Sequence, residues 1–335
     1  MKNYKVVFAQ KNCPEIWEDS IPEPGPTDVL IKTEISMIST GTELTSLEAN
    51  VDMNTVWKND IVFPKFPGYS NVGTIVQVGR DVDESLIGKK VLSDCRHQKY
   101  VIKHANDVLI LPDNVDSEQA VFGTLACVAM ASIRAAEIRS GDTVVVFGAG
   151  LVGQLVARFA KIAGALNIFV TDVSDHRLDM IPNDTCFIKV NSTKEDILDA
   201  LTKYGAKEKA RVVFEVTSVP SLVEKELNCL CKLGRLVVTS SPKGKSTIDL
   251  EYCCRQGLTI IGAHNYAIHS PIAIPHSPWT RAADTAYFLN LLSKEQICIK
   301  NLVSHKTNYK DSPEAYKMLM KDRTQAMGVL IDWRD

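Results

Sequence analysis

The chain has 335 residues, 45% of them apolar and 23% charged, and its 38 Lys and Arg against 40 Asp and Glu leave a formal net charge of -2. That is about two domains of ordinary soluble globular composition, which argues against a disordered chain, a collagen-like repeat or a coiled coil. The balanced charge argues against the general basic field of a nucleic-acid-binding protein, and no apolar run approaches the roughly 18–20 residues of a membrane-spanning helix.

Met1 to Phe8 runs straight into a strand-like pattern with no apolar signal region. About the first 115 residues read as mostly β. Runs such as Asp28-Val-Leu-Ile-Lys-Thr33 and Gly73-Thr-Ile-Val-Gln-Val78 stand among turn signals at Pro22-Glu-Pro-Gly-Pro26 and Phe66-Pro67-Gly68, and Val108 to Val115 closes this part. Glu118 to Ala135 predicts one helix. From Thr143 short apolar strands alternate with helices: strands at 143–147, 167–171, 210–215, 235–239 and 258–262, and helices at 151–163, 196–204 and 222–232. That alternation predicts a parallel sheet covered on both faces. After an irregular stretch from His269 to Pro278 come a helix at about 280–294, a strand near Leu302, a helix at about 312–321 and a last strand, Gly328-Val-Leu-Ile-Asp-Trp333. The nine cysteines are scattered, and the expectation is reduced thiols in a cytoplasmic protein. Cys229, Cys231, Cys253 and Cys254 read as core packing, with Cys229 and Cys231 on the 222–232 helix.

The strongest motif is Gly148-Ala-Gly150-Leu-Val-Gly153, a G-x-G-x-x-G between an apolar strand and a helix. Gly148 permits the turn, Gly150 lets the backbone approach a pyrophosphate, and Gly153 lets the helix lie close to the strand. The N–H groups that open the helix favour an anion. Leu151, Val152 and Thr217 are placed with the glycines as coenzyme-binding residues. Asp172 follows Gly153 by 19 residues, at the end of the next strand, where a carboxylate accepts hydrogen bonds from an adenosine ribose. It would repel a 2′-phosphate, so NAD is expected over NADP. Two readings compete: Asp172 as a turn cap only, and Arg177 stabilising a phosphate.

The chain resembles the medium-chain dehydrogenase/reductase superfamily, the zinc alcohol and polyol dehydrogenase group. The likeness runs nearly full length, through Phe66-Pro-Gly-Tyr-Ser-Asn-Val-Gly73, Ser140-Gly-Asp-Thr-Val-Val-Val-Phe-Gly-Ala-Gly150 and Leu302-Val-Ser-His305. One branch, the bacteriochlorophyllide a dehydrogenase type, is matched by Ile38-Ser-Thr-Gly-Thr-Glu43, Pro67-Gly-Tyr69 and the run Gly328 to Trp333; these are branch markers rather than substrate contacts. The resemblance implies an α/β fold: a mostly β, GroES-like catalytic domain of residues 1–118 and 266–335 and a Rossmann doubly wound parallel sheet of residues 119–265. It also implies an active site in the cleft between domains, and a homodimer through the last Rossmann strand.

The family's zinc ligands are a Cys in a Cys-Gly-Thr/Ser-Asp run, the His of Gly-His-Glu, and a further Cys or Glu. Here those positions hold Thr40, Tyr69 and Thr124. Neutral hydroxyls are poor zinc ligands, so no catalytic zinc is expected. Only Cys95 lies between residues 80 and 120, so no structural zinc is expected either; Cys95 with His97 makes two ligands and not a site. Without a metal, a hydrogen-bond donor must stabilise the developing alkoxide. The candidates are Thr42, which matches the family's relay hydroxyl, Thr40, and Tyr69, a general acid if a neighbouring cation lowers its pKa. His97 and Lys99 are placed at the cleft rim, His97 as a surface residue. His264 and Asn265 are candidates for the nicotinamide or a dimer partner, His305 reads as structural, and Glu43 keeps the family's acidic position. The leading expectation is a zinc-independent, NAD-dependent dehydrogenase of a secondary alcohol, such as a polyol, cyclitol or sugar derivative. The alternatives are an enoyl- or quinone-type C=C reductase and a non-catalytic NAD-binding protein. The expected partner is a small-molecule substrate, with no nucleic acid and no membrane.

Overall fold

The computed structural model describes residues 2–51, 56–59, 61–206, 209–270, 272–274 and 278–334. The chain forms two compact units, one of Met1–Thr124 with Thr285–Asp335 and the other of Leu125–Asp284. The expected limits were 118 and 265.

The first unit is built on a mixed sheet whose centre is the strand Asp28–Ile38. From one edge the order is Val303–Asn308, Gly328–Asp332, Asp28–Ile38, Asn71–Val78, Lys90–Ser93 and Leu109–Ile110, with Tyr100–His104 also pairing to Asp28–Ile38. All pairs are antiparallel except Val303–Asn308 with Gly328–Asp332. A separate hairpin joins Lys2–Gln10 to Cys13–Ser20. One core gathers residues far apart in the chain, including Phe8, Ile38, Leu44, Tyr316, Val329 and Trp333. Phe8 meets Tyr316 edge-on at 5.1 Å, and Tyr309 stacks on Trp333 at 5.2 Å, the two favourable geometries for aromatic quadrupoles.

The second unit is a six-stranded parallel sheet in the order Phe187–Asn191, Asn167–Asp172, Thr143–Phe147, Ala210–Glu215, Leu230–Val238, Thr259–Gly262. Counted along the chain this is 3-2-1-4-5-6, the doubly wound order that reverses beside its first strand. The sheet interior is apolar on both faces, as that burial demands; Val145, Phe169, Val213 and Leu236 are buried on one face and Val144, Ile168 and Val212 on the other.

Several elements differ from the sequence reading, among them the short helices Thr42–Glu48, Asp175–Asp179 and Leu250–Gln256, which it did not contain. The single helix expected over 118–135 is two, Ser117–Ala120 and Gly123–Ala136. Between them the Val121 carbonyl accepts the Ser70 hydroxyl, and a side chain on Gly123 would collide with Leu92. The helix expected over 222–232 ends at Asn228, and the chain is a strand from Leu230 to Val238. Pairing of Leu230 with Ala210 starts the strand early, so Cys231 is a strand residue and only Cys229 closes the helix. Phe187–Asn191 forms a strand that was not anticipated. Part of the irregular stretch from His269 to Pro278 lies outside the described residues.

Buried charge explains where the second unit ends. Asp284, fully buried, bonds His269 Nε2 at 2.8 Å and Arg134 Nη2 at 2.8 Å, which ties His269 and Asp284 to the helix Gly123–Ala136. Burial disfavours the His269 cation, but the hydrogen bonds to Asp284 and Cys127 outweigh it and raise its pKa to about 9. Glu226, on the helix Val223–Asn228, has no such help. It is fully buried, neither carboxyl oxygen has a hydrogen-bond partner, and burial together with the charge of Glu215 pushes its pKa up to about 8. A carboxyl so placed is held in its neutral form at pH 7.

Two outcomes follow. Asp284→Asn removes the carboxylate that the buried His269 cation faces and should cost about 3–5 kcal/mol in urea unfolding. Glu226 keeps its proton in the folded chain between pH 4.5 and about 8 and loses it in the unfolded chain. Stability therefore falls as pH rises across that window. Glu226→Gln should remove this fall and unfold at higher urea than the parent protein at pH 8.

Candidate functional site

In the second unit the strand Thr143–Phe147 ends on Gly148, whose φ of 104° is open to glycine at little cost. A Cβ there would stand 3.3 Å from the Thr217 methyl. The helix Leu151–Ile162 begins at Gly150, which has no side chain to cap it, so the first N–H groups of the helix are left for an anion. A Cβ on Gly150 would meet no protein atom within 4 Å, whereas one on Gly153 would overlap the Gly148 carbonyl oxygen. The protein itself therefore needs a glycine at 153 for packing. At 150 a glycine keeps clear the approach to the loop. Leu151 is buried and Val152 half-buried in the first turn.

Asp172 ends the neighbouring strand with its carboxylate beside this loop. Oδ2 accepts the Ala149 N–H at 2.8 Å and Oδ1 the Ser174 N–H at 2.9 Å, and Arg177 Nη1 is 3.9 Å from Oδ2. The turn-cap role and the ribose role are thus compatible, because each carboxylate oxygen accepts a second bond. Glu215, which the sequence reading passed over, ends the strand Ala210–Glu215. Its Oε1 accepts Thr217 N–H at 2.7 Å, Thr217 Oγ1–H at 2.8 Å and Ser218 N–H at 2.7 Å, and its Oε2 accepts the Ser240 hydroxyl. One buried carboxylate so fixes Thr217 against the glycine loop. These residues fit a nicotinamide dinucleotide: a helix N-terminus clear of side chains, a carboxylate beside it, and a pinned turn facing Gly148.

In the first unit Tyr69, Ser39 and Thr42 form a cluster of hydroxyls. The Tyr69 phenol donates to Ser39 Oγ, with Thr42 Oγ1 3.5 Å away. Thr42 is exposed and opens the helix Thr42–Glu48. Thr40 is half-buried and takes no part in these bonds. Burial pushes the Tyr69 pKa up to about 12; the Ser39 and Thr42 bonds oppose this and the Glu43 charge adds to it. The condition set for a general acid, a neighbouring cation that lowers its pKa, is not what acts here: the charge that acts on it is the Glu43 carboxylate, which raises it.

Two further expectations are corrected. His97 is not a surface residue but wholly buried, with Nε2 3.1 Å from Glu43 Oε2 and Nδ1 2.8 Å from Ser36 Oγ. Lys99 is buried as well, its ammonium 5.2 Å over the Tyr309 ring. Cys95 bonds the Ile102 carbonyl and not a partner of His97. The sequence held one signal for His97: an acid retained at 43 while the histidine expected at 69 is gone.

This donor set does not suit zinc. Thr40, Tyr69 and Thr124 offer neutral oxygens, and the nearby acid and imidazole, Glu43 and His97, spend their lone pair and proton on each other. Among the described residues no group of three or more His, Cys, Asp or Glu is placed to hold a metal ion. The remaining candidates are dispersed: His264 stacks on Tyr266 at 5.6 Å, Asn265 is buried, and His305 bonds Ser304 Oγ at 2.8 Å.

The chain is similar in sequence and in fold to known dehydrogenases. A family model described as zinc-binding dehydrogenase matches residues 152–276. An uncharacterized zinc-type alcohol dehydrogenase-like protein of Escherichia coli K12 is 23% identical, over 95% of this chain and 95% of that protein. L-threonine 3-dehydrogenase of Legionella pneumophila (strain Philadelphia 1) is 27% identical over 78% of this chain and 84% of its own length. In fold, an Escherichia coli oxidoreductase of unknown specificity matches with a TM-score of 0.85 at 21% identity, covering 99% of each chain. Two others match with a TM-score of 0.82 at 18% identity and 99% coverage of each chain: a putative zinc-binding dehydrogenase from Sinorhizobium meliloti bound to NADP and an Escherichia coli CFT073 alcohol dehydrogenase complexed with NADH.

The glycine geometry yields a direct test. Gly153→Ala forces helix and loop apart and should cost about 1–3 kcal/mol of stability, as overpacking does. It should also weaken binding of a dinucleotide at least tenfold by fluorescence titration, a loss of about 1.4 kcal/mol.

Proposed function

We propose that this chain, which belongs to the medium-chain dehydrogenase/reductase superfamily, is an NAD(H)-dependent oxidoreductase that interconverts a secondary alcohol and its ketone without a catalytic zinc. Its relatives are alcohol and polyol dehydrogenases and other oxidoreductases, which supports the reaction class. The observation that carries the zinc-free reading is that Tyr69 stands where the resemblance puts a ligand histidine and joins Ser39 and Thr42 in a cluster of neutral hydroxyls, while the other two ligand positions hold Thr40 and Thr124.

Gly148, Gly150, Leu151, Val152, Gly153, Asp172 and Thr217 would hold the coenzyme, with Arg177 alongside. When bound, it supplies or accepts the hydride at carbon. The chain's own part is the proton. Tyr69, neutral with a pKa of about 12, would turn its one O–H from Ser39 Oγ to an oxygen that gains negative charge, and one such donor is worth about 10²–10³ in rate. Ser39 orients that phenol, and exposed Thr42 connects it to solvent. NAD is favoured over NADP because a 2′-phosphate about 4 Å from Asp172 would cost roughly 4 kcal/mol per unit-charge pair at an effective dielectric near 20. A neutral acid without a Lewis acid also suits conjugate reduction of a C=C bond, which is the second reading.

The substrate is a small molecule. The working form is a homodimer: Thr259–Gly262 is the last strand of its sheet, and Ile260 and Leu250 nearby are exposed apolar residues, an edge that pairing with a second copy would cover. The nine cysteines are free thiols, which fits a reducing compartment such as the cytoplasm.

The test is turnover at 340 nm with chelator-treated protein, NADH or NADPH, and a panel of ketones, secondary alcohols and α,β-unsaturated ketones. Full activity without metal, preference for NADH, and a fall of about 10²–10³-fold in kcat for Tyr69→Phe at unchanged NADH affinity are expected. Activity that returns only with added zinc would overturn the proposal.

A further inference from the structure

The helix Leu151–Ile162 buries two polar side chains behind the glycine loop: Gln154 is wholly buried and Arg158 nearly so. They stand four residues apart, about one turn of helix, and therefore on one face. Burial of an amide and a guanidinium is costly unless their hydrogens find acceptors, and here they do. Gln154 Nε2 donates to the Ala149 carbonyl at 3.2 Å and to the Arg177 carbonyl at 2.7 Å. Gln154 Oε1 accepts Arg158 Nη1–H at 2.7 Å, and Arg158 Nη2 donates to the Met180 carbonyl at 3.0 Å.

The orientation of the amide follows from these partners. A guanidinium only donates and a peptide carbonyl only accepts. The end of Gln154 that meets Arg158 is therefore its oxygen, and the end that meets the two carbonyls is its NH2. Turned over, the amide would set one oxygen against two others and its hydrogens against a cation. Of the two hydrogens, one goes to the glycine loop and the other to the helix Asp175–Asp179, which carries Arg177. That helix is too short to hold itself in water. Arg177 and Met180 lie at its C-terminal end, where a helix leaves carbonyls unfilled and favours a cation, and Gln154 and Arg158 bond both.

The bond to Ala149 bears on the anion. Ala149 is fully buried between Gly148 and Gly150, and its own N–H is on Asp172 Oδ2 at 2.8 Å. Its carbonyl belongs to the peptide that carries the Gly150 N–H, and a planar trans peptide points these two groups in opposite directions. With the carbonyl drawn onto Gln154, the Gly150 N–H points away from Gln154, and among the described residues it donates to no protein group. Without the Gln154 amide the buried carbonyl would lose this donor, and rotation of one peptide would exchange the two groups and turn an oxygen toward the anion.

We propose that Gln154 is a positioning residue for the coenzyme: oriented by Arg158, its amide holds the Ala149 carbonyl inward, which leaves the Gly150 N–H free to take a phosphate oxygen of the dinucleotide and ties the glycine loop to the helix that carries Arg177. This rests on the reading of the glycine loop as a dinucleotide site and adds to it the residues that set the loop before the ligand arrives.

The test begins without a coenzyme. In protein labelled with ¹⁵N on the glutamine side chains, the Gln154 NH2 signals, assigned by their loss in Gln154→Leu, should persist in D2O after those of exposed glutamines have gone. In ¹⁵N-glycine-labelled protein, the Gly150 amide, assigned by its loss in Gly150→Ala, should move downfield on addition of NADH to the parent and not to Gln154→Leu. The NADH Kd by fluorescence titration should rise at least about tenfold in Gln154→Leu, the loss of a hydrogen bond to a charged group. Adenosine, which has no phosphate, should bind parent and variant alike by saturation-transfer NMR. Arg158→Lys, which keeps a donor for Oε1, should lose less NADH affinity than Arg158→Leu. Gln154→Met, unbranched and equally without donors, repeats the measurement should the leucine variant not fold. A folded variant at 154 that binds NADH like the parent overturns the proposal, and so does one that loses adenosine in step with NADH, since its role is then only structural. A parent that binds neither NADH nor NADPH, with the Gln154 signals still protected, overturns the dinucleotide reading itself. A parent that binds NADH no better than its folded variants leaves that reading standing and removes Gln154 from it.

Discussion

A buried carboxylate is costly unless its lone pairs are filled, and in the first unit the groups that fill those of Glu43 come from widely separated parts of the chain. Ser39 follows the end of the central strand, His97 arrives from the turn before Tyr100–His104, and Tyr316 comes from the far C-terminal segment; behind His97, its Nδ1 faces Ser36, which in turn accepts Trp333 Nε1–H. Satisfying one charge thus obliges several elements to meet at one point. The aromatic core around Phe8, Tyr316 and Trp333 is the apolar counterpart of the same meeting. Close fitting here has a visible mark at Gly68, with φ 100°, where a Cβ would stand 2.8 Å from His97 Cγ. The imidazole occupies the space beside the residue before Tyr69.

The second unit treats its carboxylates in three ways. Asp172 and Glu215 are used as anchors for turns, each carrying main-chain N–H groups at the carboxyl ends of parallel strands. Asp284 is neutralised by two cations. Glu226 is neither anchored nor paired, and the structure leaves it no option but its protonated form. The difference is one of geometry: the first two sit where strand ends expose N–H groups, while Glu226 lies within the short helix Val223–Asn228 with neither carboxyl oxygen bonded.

What could be read in the sequence was local. The glycine loop, Asp172 at the next strand's end and the α/β alternation each depend on residues close together, and strand and helix periodicities carry them directly. The match of Thr40, Tyr69 and Thr124 to the ligand positions of the zinc enzymes rests on a resemblance of short motifs. What was hidden depended on distant partners. The helix over 117–136 breaks where Ser70 reaches Val121, and the strand Leu230–Val238 starts early because Ala210 pairs with it. His97, alone in a polar run, offers no local sign that Glu43, 54 positions away, will draw it into the interior.

The discontinuous layout of the first unit sets an order on biosynthesis. The outer half of the central strand, Ile35–Ile38, has Gly328–Asp332 as its neighbour on one side, and Ser36 waits for Trp333. A ribosome releases the whole nucleotide-binding sheet before either partner exists. During that interval the nascent amino-terminal sheet carries an open hydrogen-bonding edge and an uncovered aromatic cluster, both prone to self-association. The inserted unit, contiguous in sequence, is free to fold while its host is still incomplete, and closure of the amino-terminal sheet is a late event on the emerging polypeptide.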